Sequence, residues 1–184
     1  VEASRNFANK VWNASRFIMM NLDKAEVRDV DVTELTDADK WILSKVNTLA
    51  KDVTDNMENY DLGVAVQKIY DFIWEEFCDW YIEMVKPRLW NDDNTTKAAA
   101  LYTLKTVLIN SLKLLHPYMP FITEEIFCNI QDEEESIMIS SWPVYDEANN
   151  FAAEEKAIET IKEAVRNIRN LRADMNVAPS RKAL

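Results

Sequence analysis

Apolar residues recur at helical spacing almost from the first position. At about 100° per residue, Ala3, Phe7, Val11, Ala14, Ile18 and Leu22 share one arc, edged by Ala8 and Met19. The spacing predicts a helix from about Glu2 to Leu22. Thr36 and Asp39 stand at capping-box spacing, and Ile42, Val46, Leu49, Val53 and Met57 then mark a second helix ending near Asn59. A third begins between Asp61 and Val64 and runs to about Val85, with Ala65, Ile69, Phe72, Ile73, Phe77, Trp80 and Met84 on its stripe. On this reading Trp80 is core, and only Trp74 or Tyr81 is left to face outward. Pro87 and the NDDN at 91–94 should end that helix.

A fourth helix, about Thr96 to Leu115, is apolar on two sides, which places it at the centre of a bundle. The prolines of HPYMP at 116–120 break it, and FITEEIF supplies a short fifth. QDEEES at 131–136 reads as a solvated loop, and SIMISSW alternates ahead of Pro143 as an extended segment. A last helix from about Ala153 to Arg172 should bury Ile158, Ile161, Val165, Ile168 and Leu171, and MNVAPSRKAL after it should start a strand. The predicted fold class is all-α. Residues 1–130 form an antiparallel helical bundle, and residues 131–184 add the acidic loop, the extended segment and a basic helix, with a small truncated α/β appendage at the C-terminus.

Composition narrows the chemistry. One glycine cannot build a GxGxxG or Walker A loop. Cys78 and Cys128 are too few for a disulfide framework and read as reduced thiols of a cytoplasmic protein. Neither a secretory signal nor a membrane-spanning run is expected. The only histidine, His116, sits at a helix end and reads as a cap or a satisfied core residue, so no metal site or catalytic triad can be assembled. The acids Asp71, Glu75, Glu76, Asp79 and Glu83 read as a solvated face or as ion-pair partners for neighbouring helices.

Charge restores interest. The formal net charge of −11 would argue against nucleic acid, but it is segregated. Residues 1–22 carry three basic residues against one acid, and residues 162–184 carry six against two. Opposite its apolar arc the first helix gathers Arg5, Asn6, Asn9, Lys10, Asn13, Arg16 and Phe17 without one carboxylate. Arginine and lysine contact phosphates, asparagine hydrogen-bonds base edges, and aromatics stack on unpaired bases. Periodicity alone leaves three roles open for this face: RNA binding, packing on another domain, or solvation.

Four stretches then carry a resemblance. RNFANKVWNASRF at 5–17, YDLGVAVQKIYDFIWEEFCDWYIEMVKPRLW at 60–90, LLHPYMPFITEEIF at 114–127 and RNLRADMNVAPSRK at 169–182 resemble, in order and spacing, the C-terminal region of valyl-tRNA synthetases. HPYMPFITEEIF is shared loosely with the class I enzymes for isoleucine and leucine, whereas DFIWEEFCDWYIE with RNFANKVWNASRF looks specific to the valine enzymes. The resemblance implies a helical anticodon-binding domain placed after a catalytic domain of the same polypeptide, binding tRNA(Val). The last helix would lead toward the family's C-terminal coiled-coil arm. The HIGH and KMSKS signatures and the editing domain are absent, so a non-catalytic fragment is expected, with ATP and Mg used by the parent ligase.

The resemblance also implies anticodon contacts, placed on Arg5, Asn9, Asn13, Arg16 and Phe17 by the helical wheel, with Lys10, Arg166, Arg169 and Arg172 available to the tRNA backbone. A monomer is expected, with neither DNA nor membrane as a partner. The competing readings are the same domain of an isoleucyl or leucyl enzyme, disfavoured by the Trp-rich third helix, and an acidic helical protein-interaction scaffold.

Overall fold

A computed structural model describes residues 2–25, 27–91, 94–131, 133–178 and 181. Seven α-helices follow in chain order among the described residues: α1 Glu2–Leu22, α2 Asp37–Glu58, α3 Leu62–Asp71, α4 Ile82–Trp90, α5 Lys97–Leu115, α6 Pro120–Ile130 and α7 Ala152–Asp174. Between α3 and α4 the chain stays helical but widens into a π-helix, Phe72–Tyr81. The apolar α5 lies at the centre, touching α1, α2, α3, α4 and α6. Leu101, Leu104, Leu108, Leu112, Leu114 and Leu115 are all buried along it. By length and composition α5 could cross a membrane, but most of it is enclosed by its neighbours.

The wheel places α1 well. Phe7, Val11 and Ile18 are buried, as is Ser15, whose hydroxyl returns to the Val11 carbonyl at 2.8 Å. In α2 the Thr36–Asp39 capping box forms and the C-cap is Asn59, where the spacing put them. His116 is the C-cap of α5, its Nδ1 2.7 Å from Thr123 Oγ1.

The third helix departs from expectation in two ways. In a π-helix hydrogen bonds run to the fifth residue back, as from Ile82 N–H to the Phe77 carbonyl. The aligned core positions therefore become Phe72, Phe77 and Ile82, all buried, and Tyr81 is fully enclosed while Trp80 is only half-buried. The expectation of Trp80 in the core with only Trp74 or Tyr81 facing outward is thus corrected at Trp80, and Tyr81 is excluded from the outer face, because a wheel turning at α-helical pitch drifts over ten π residues. Second, Pro87 does not stop the helix, which continues to Trp90. A proline removes one N–H and crowds the carbonyl four residues back, yet the last turn is fastened by Arg88. Its guanidinium pairs with both oxygens of the fully buried Asp39 at 2.8 and 2.9 Å and donates to the Thr96 carbonyl at 2.8 Å. The Tyr81 hydroxyl completes the knot at 2.6 Å from Asp39, and burial with the Asp39 charge holds that phenol well above its ordinary pKa. The knot joins the start of α2, the end of α4 and the start of α5.

The segment SIMISSW, expected to be extended, is so only in part. Ile137–Ile139 form a 3-10 turn, and the stretch beyond lies extended on α2, fastened by Trp142 to Thr54 (2.8 Å) and by Asn47 to the Asp146 backbone (2.8 and 2.9 Å). The strand expected after α7 falls largely on positions outside the described residues, and residues 175–178 form a turn and coil. The stripe expected on α7 is corrected too. Ile158 is buried and Val165 half-buried, but Ile161, Ile168 and Leu171 are exposed, because the face that meets α2 runs through Glu155, Ile158, Glu159 and Lys162.

Candidate nucleic-acid interface

The outer face of α1 is positioned by its buried side, with Phe7 tilted against Tyr70 at 4.7 Å between ring centres and Tyr70 stacked on Trp74 at 5.6 Å. Arg5, Asn9, Asn13 and Arg16 project to solvent, and none has a hydrogen-bond or ion-pair partner among the described residues. Phe17 is half-buried, with the Lys86 ammonium 5.9 Å from its ring. Exposed as they are, the four polar side chains are satisfied by water in the free chain and stay available to a ligand.

Between this face and the π-helix runs an open groove of about 500 Å³, lined on one side by Asn9, Asn13 and Phe17 and on the other by Asp79, Ile82 and Glu83. The face lacks carboxylates along its own helix but not in space. Each intruding acid is neutralised, however: Asp79 pairs with Lys10 at 2.5 Å, and Glu83 pairs with Lys86. Lys10 also sits 4.0 Å over the Trp74 ring, so it is held in place rather than free.

The second basic region lies across the π-helix, on α7. Lys162 is fully buried between Glu76 and Glu159, with its ammonium 4.8 Å from the Trp41 ring. One and two turns further on, Arg166 and Arg169 reach back over the indole of Trp80, at 6.0 and 5.6 Å from its centre. Neither has a carboxylate partner among the described residues. Arg172 is engaged differently, donating to the carbonyls of Ala178 at 2.7 Å and Arg181 at 2.6 Å. The sequence-predicted residues therefore form two groups, α1 on one side of the π-helix and α7 on the other. Sequence reasoning missed Trp80, which joins the second group. Its only signal was an aromatic content that pointed equally to the core.

Among the described residues no cluster of His, Cys, Asp or Glu has the arrangement of a metal site. Both cysteines are free thiols, and burial pushes that of Cys78 up to about 12.

A family model described as the anticodon-binding domain of tRNA ligase matches residues 39–184. The chain belongs to that family. Across its whole length this anticodon-binding domain is 60% identical to a valine–tRNA ligase of Clostridium perfringens and 53% identical to that of Clostridium tetani. It is 42% identical, over 99% of its length, to the valine–tRNA ligase of Bacillus anthracis. It spans about a fifth (21%) of the length of each of these relatives. Among solved structures it resembles a leucyl-tRNA synthetase (LeuRS) of Agrobacterium radiobacter K84, crystallised as a ternary complex with tRNA and LeuAMS. The TM-score is 0.61 at 17% identity, covering 82% of this chain and 17% of that one, which supports the helical fold. α1 precedes the segment matched by the family model but lies within the aligned range of the Clostridium relatives.

Proposed function

We propose that this domain binds the anticodon stem-loop of tRNA(Val) as part of a valine–tRNA ligase, and that the outer face of α1 reads the loop. The observation that carries the reading is the set of unpartnered side chains, Arg5, Asn9, Asn13 and Arg16, in a chain of net charge −11 where carboxylates to pair with are abundant. Guanidiniums left free beside free amides and the edge of Phe17 match the donors and stacking surfaces that unpaired bases and phosphates require. The identity to valine–tRNA ligases favours valine over isoleucine or leucine, and the predominantly charged, hydrogen-bonding character of the face favours RNA over an apolar protein partner.

In this reading the parent is a cytoplasmic monomer that charges tRNA(Val) with valine using ATP and Mg. The catalytic domain belongs to the same polypeptide, outside the residues present here, and neither DNA nor membrane is a partner. Residues 1–130 act as the anticodon-binding bundle, and residues 131–184 lead toward the parent's C-terminal region. Arg166 and Arg169 touch the RNA backbone. Lys10 and Arg172, both engaged internally, shape the field without leaving their partners.

Fluorescence anisotropy of a labelled valine-type stem-loop, beside a twin with its middle anticodon base changed, tests this. The natural loop should bind at least about tenfold more tightly, or about 1.4 kcal/mol. Arg5→Ala and Arg16→Ala should each weaken binding by about 1–3 kcal/mol while leaving helicity and melting unchanged. Equal binding of the two loops, or unfolding of the arginine variants, overturns the assignment of α1.

A further inference from the structure

The acids of the π-helix and α4 nearest Trp80 in sequence are all spent on lysines from three different places. Glu76 pairs with Lys162 of α7, Asp79 with Lys10 of α1, and Glu83 with Lys86 of α4 itself. Arg166 and Arg169 make no ion pair among the described residues, although Glu163 stands three residues before Arg166. They stand three residues apart, where side chains on a helix are neighbours and like charges repel. Both heads nevertheless lie against one indole, Arg166 at 6.0 Å and Arg169 at 5.6 Å from its centre, with the already neutralised Lys162 at 5.7 Å. Cation–π attraction to an indole offsets part of the repulsion. The remainder stays uncompensated.

From this juxtaposition we infer a phosphate clamp: Arg166 and Arg169, laid over Trp80, grip one phosphate group between them on the face across the π-helix from α1. A guanidinium is planar, always charged and weakly hydrated, and its forked donors match phosphate oxygens. Two of them converging on one aromatic platform form a site for a single oxyanion with several acceptor oxygens. Trp80 is a positioning residue, since it touches the arginines and not the phosphate. Lys162 and its two glutamates anchor the helix that carries them. The inference rests on the RNA-binding reading for the source of the phosphate, a backbone phosphate of the bound tRNA. The same chemistry would accept free inorganic phosphate.

Because one phosphate is shared, the two arginines should not act independently. The salt dependence of stem-loop binding by the whole chain, followed from about 50 to 200 mM, has a slope that reports the number of phosphates neutralised, at about 0.7–0.9 per contact. Arg166→Gln/Arg169→Gln should flatten that slope by about one contact, and each single change should flatten it nearly as much. Trp80→Leu, with both charges intact, should weaken binding several-fold, whereas Trp80→Phe should retain it. The losses should be equal for the natural and the base-changed loop, since a phosphate carries no sequence.

An unchanged slope, additive losses equivalent to two contacts, or a Trp80→Leu protein that binds like the parent overturns the clamp. Should Trp80→Leu fail to fold, the exposed arginine variants decide alone. A parallel arm follows the Trp80 indole N–H resonance as inorganic phosphate is added. A shift in the parent that is lost in the double variant supports the clamp even if no stem-loop binds, in which case the RNA reading falls and the anion site stands. If phosphate leaves the resonance unmoved and the slopes are unchanged, there is no clamp.

Discussion

Lys162 gives the sharpest test of how α7 is held. Its side chain is fully buried, bonded to Glu76 and at 3.0 Å to Glu159, with the ammonium 4.8 Å from the Trp41 ring and 5.7 Å from the Trp80 ring. Lys162→Met keeps most of the aliphatic stem and removes the charge. Glu159 then retains Lys45 at 3.3 Å and the Trp41 indole N–H at 3.2 Å, but Glu76 has no other ion-pair or hydrogen-bond partner among the described residues. Breaking a fully buried pair costs about 3–5 kcal/mol. The Glu76 and Glu159 side chains keep 21% and 39% exposure, so water reclaims part of the loss. The expected destabilisation is about 2–3 kcal/mol, read by urea denaturation near neutral pH. Adding Glu76→Gln should restore more than about 1 kcal/mol of it, since the stranded charge goes with it.

The pH dependence supplies an independent sign. Burial pushes the Glu159 carboxyl up, but hydrogen bonding and attraction from Lys162, with help from Lys45 and Trp41, outweigh it and hold the group below the usual carboxylate range. A carboxylate whose folded pKa is depressed contributes stability above its unfolded value, near 4.3, and loses it as pH falls through the folded value. Lys162→Met removes the principal lowering partner. Its deficit should therefore be widest at neutral pH and close as pH drops below about 4. A deficit under about 0.5 kcal/mol, or one that does not change with pH, would show that α7 is held by its apolar contacts instead.

Two further outcomes test the core. Leu108→Ala, at a 3%-exposed position on the central helix, should cost about 2–5 kcal/mol in urea unfolding, and a negligible loss would mean that α5 is not central. A thiol reagent at mildly alkaline pH should modify the exposed Cys128 in the native protein and leave Cys78, buried and pushed up to about 12, until the chain unfolds. Equal labelling rates would show that the π-helix opens readily.

The helical bundle was legible because its signals are local. A wheel finds α1, a capping box finds the start of α2, and an almost wholly apolar α5 can only be central. The errors share a cause, which is that a one-dimensional pattern assumes constant pitch and a partner along the whole length. The π-helix breaks the first assumption and exchanges the roles of Trp80 and Tyr81. α7 breaks the second, since Ile168 and Leu171 continue its apolar stripe but stay exposed. On the candidate interface, sequence could list the cations but not their partners. It placed Lys10, Arg166, Arg169 and Arg172 together as backbone contacts. Only the structure separates the two held by a carboxylate or carbonyls from the two that rest on an indole alone.

Around the π-helix itself, lysine and arginine take different roles. Three lysines, Lys10, Lys86 and Lys162, pair with Asp79, Glu83 and Glu76, while Arg5, Arg16, Arg166 and Arg169 have no carboxylate partner among the described residues. A compact ammonium makes a good point-charge counterion. A planar guanidinium is more weakly hydrated and matches phosphate with a fork. An acidic domain can thus hold RNA despite its net charge, because attraction is set within a Debye length of about 8–10 Å and not by the total. Interchanging the two cations would test whether this arrangement matters. Arg166→Lys/Arg169→Lys preserves net charge, so simple electrostatics leaves affinity unchanged, whereas fork geometry over Trp80 requires it to fall.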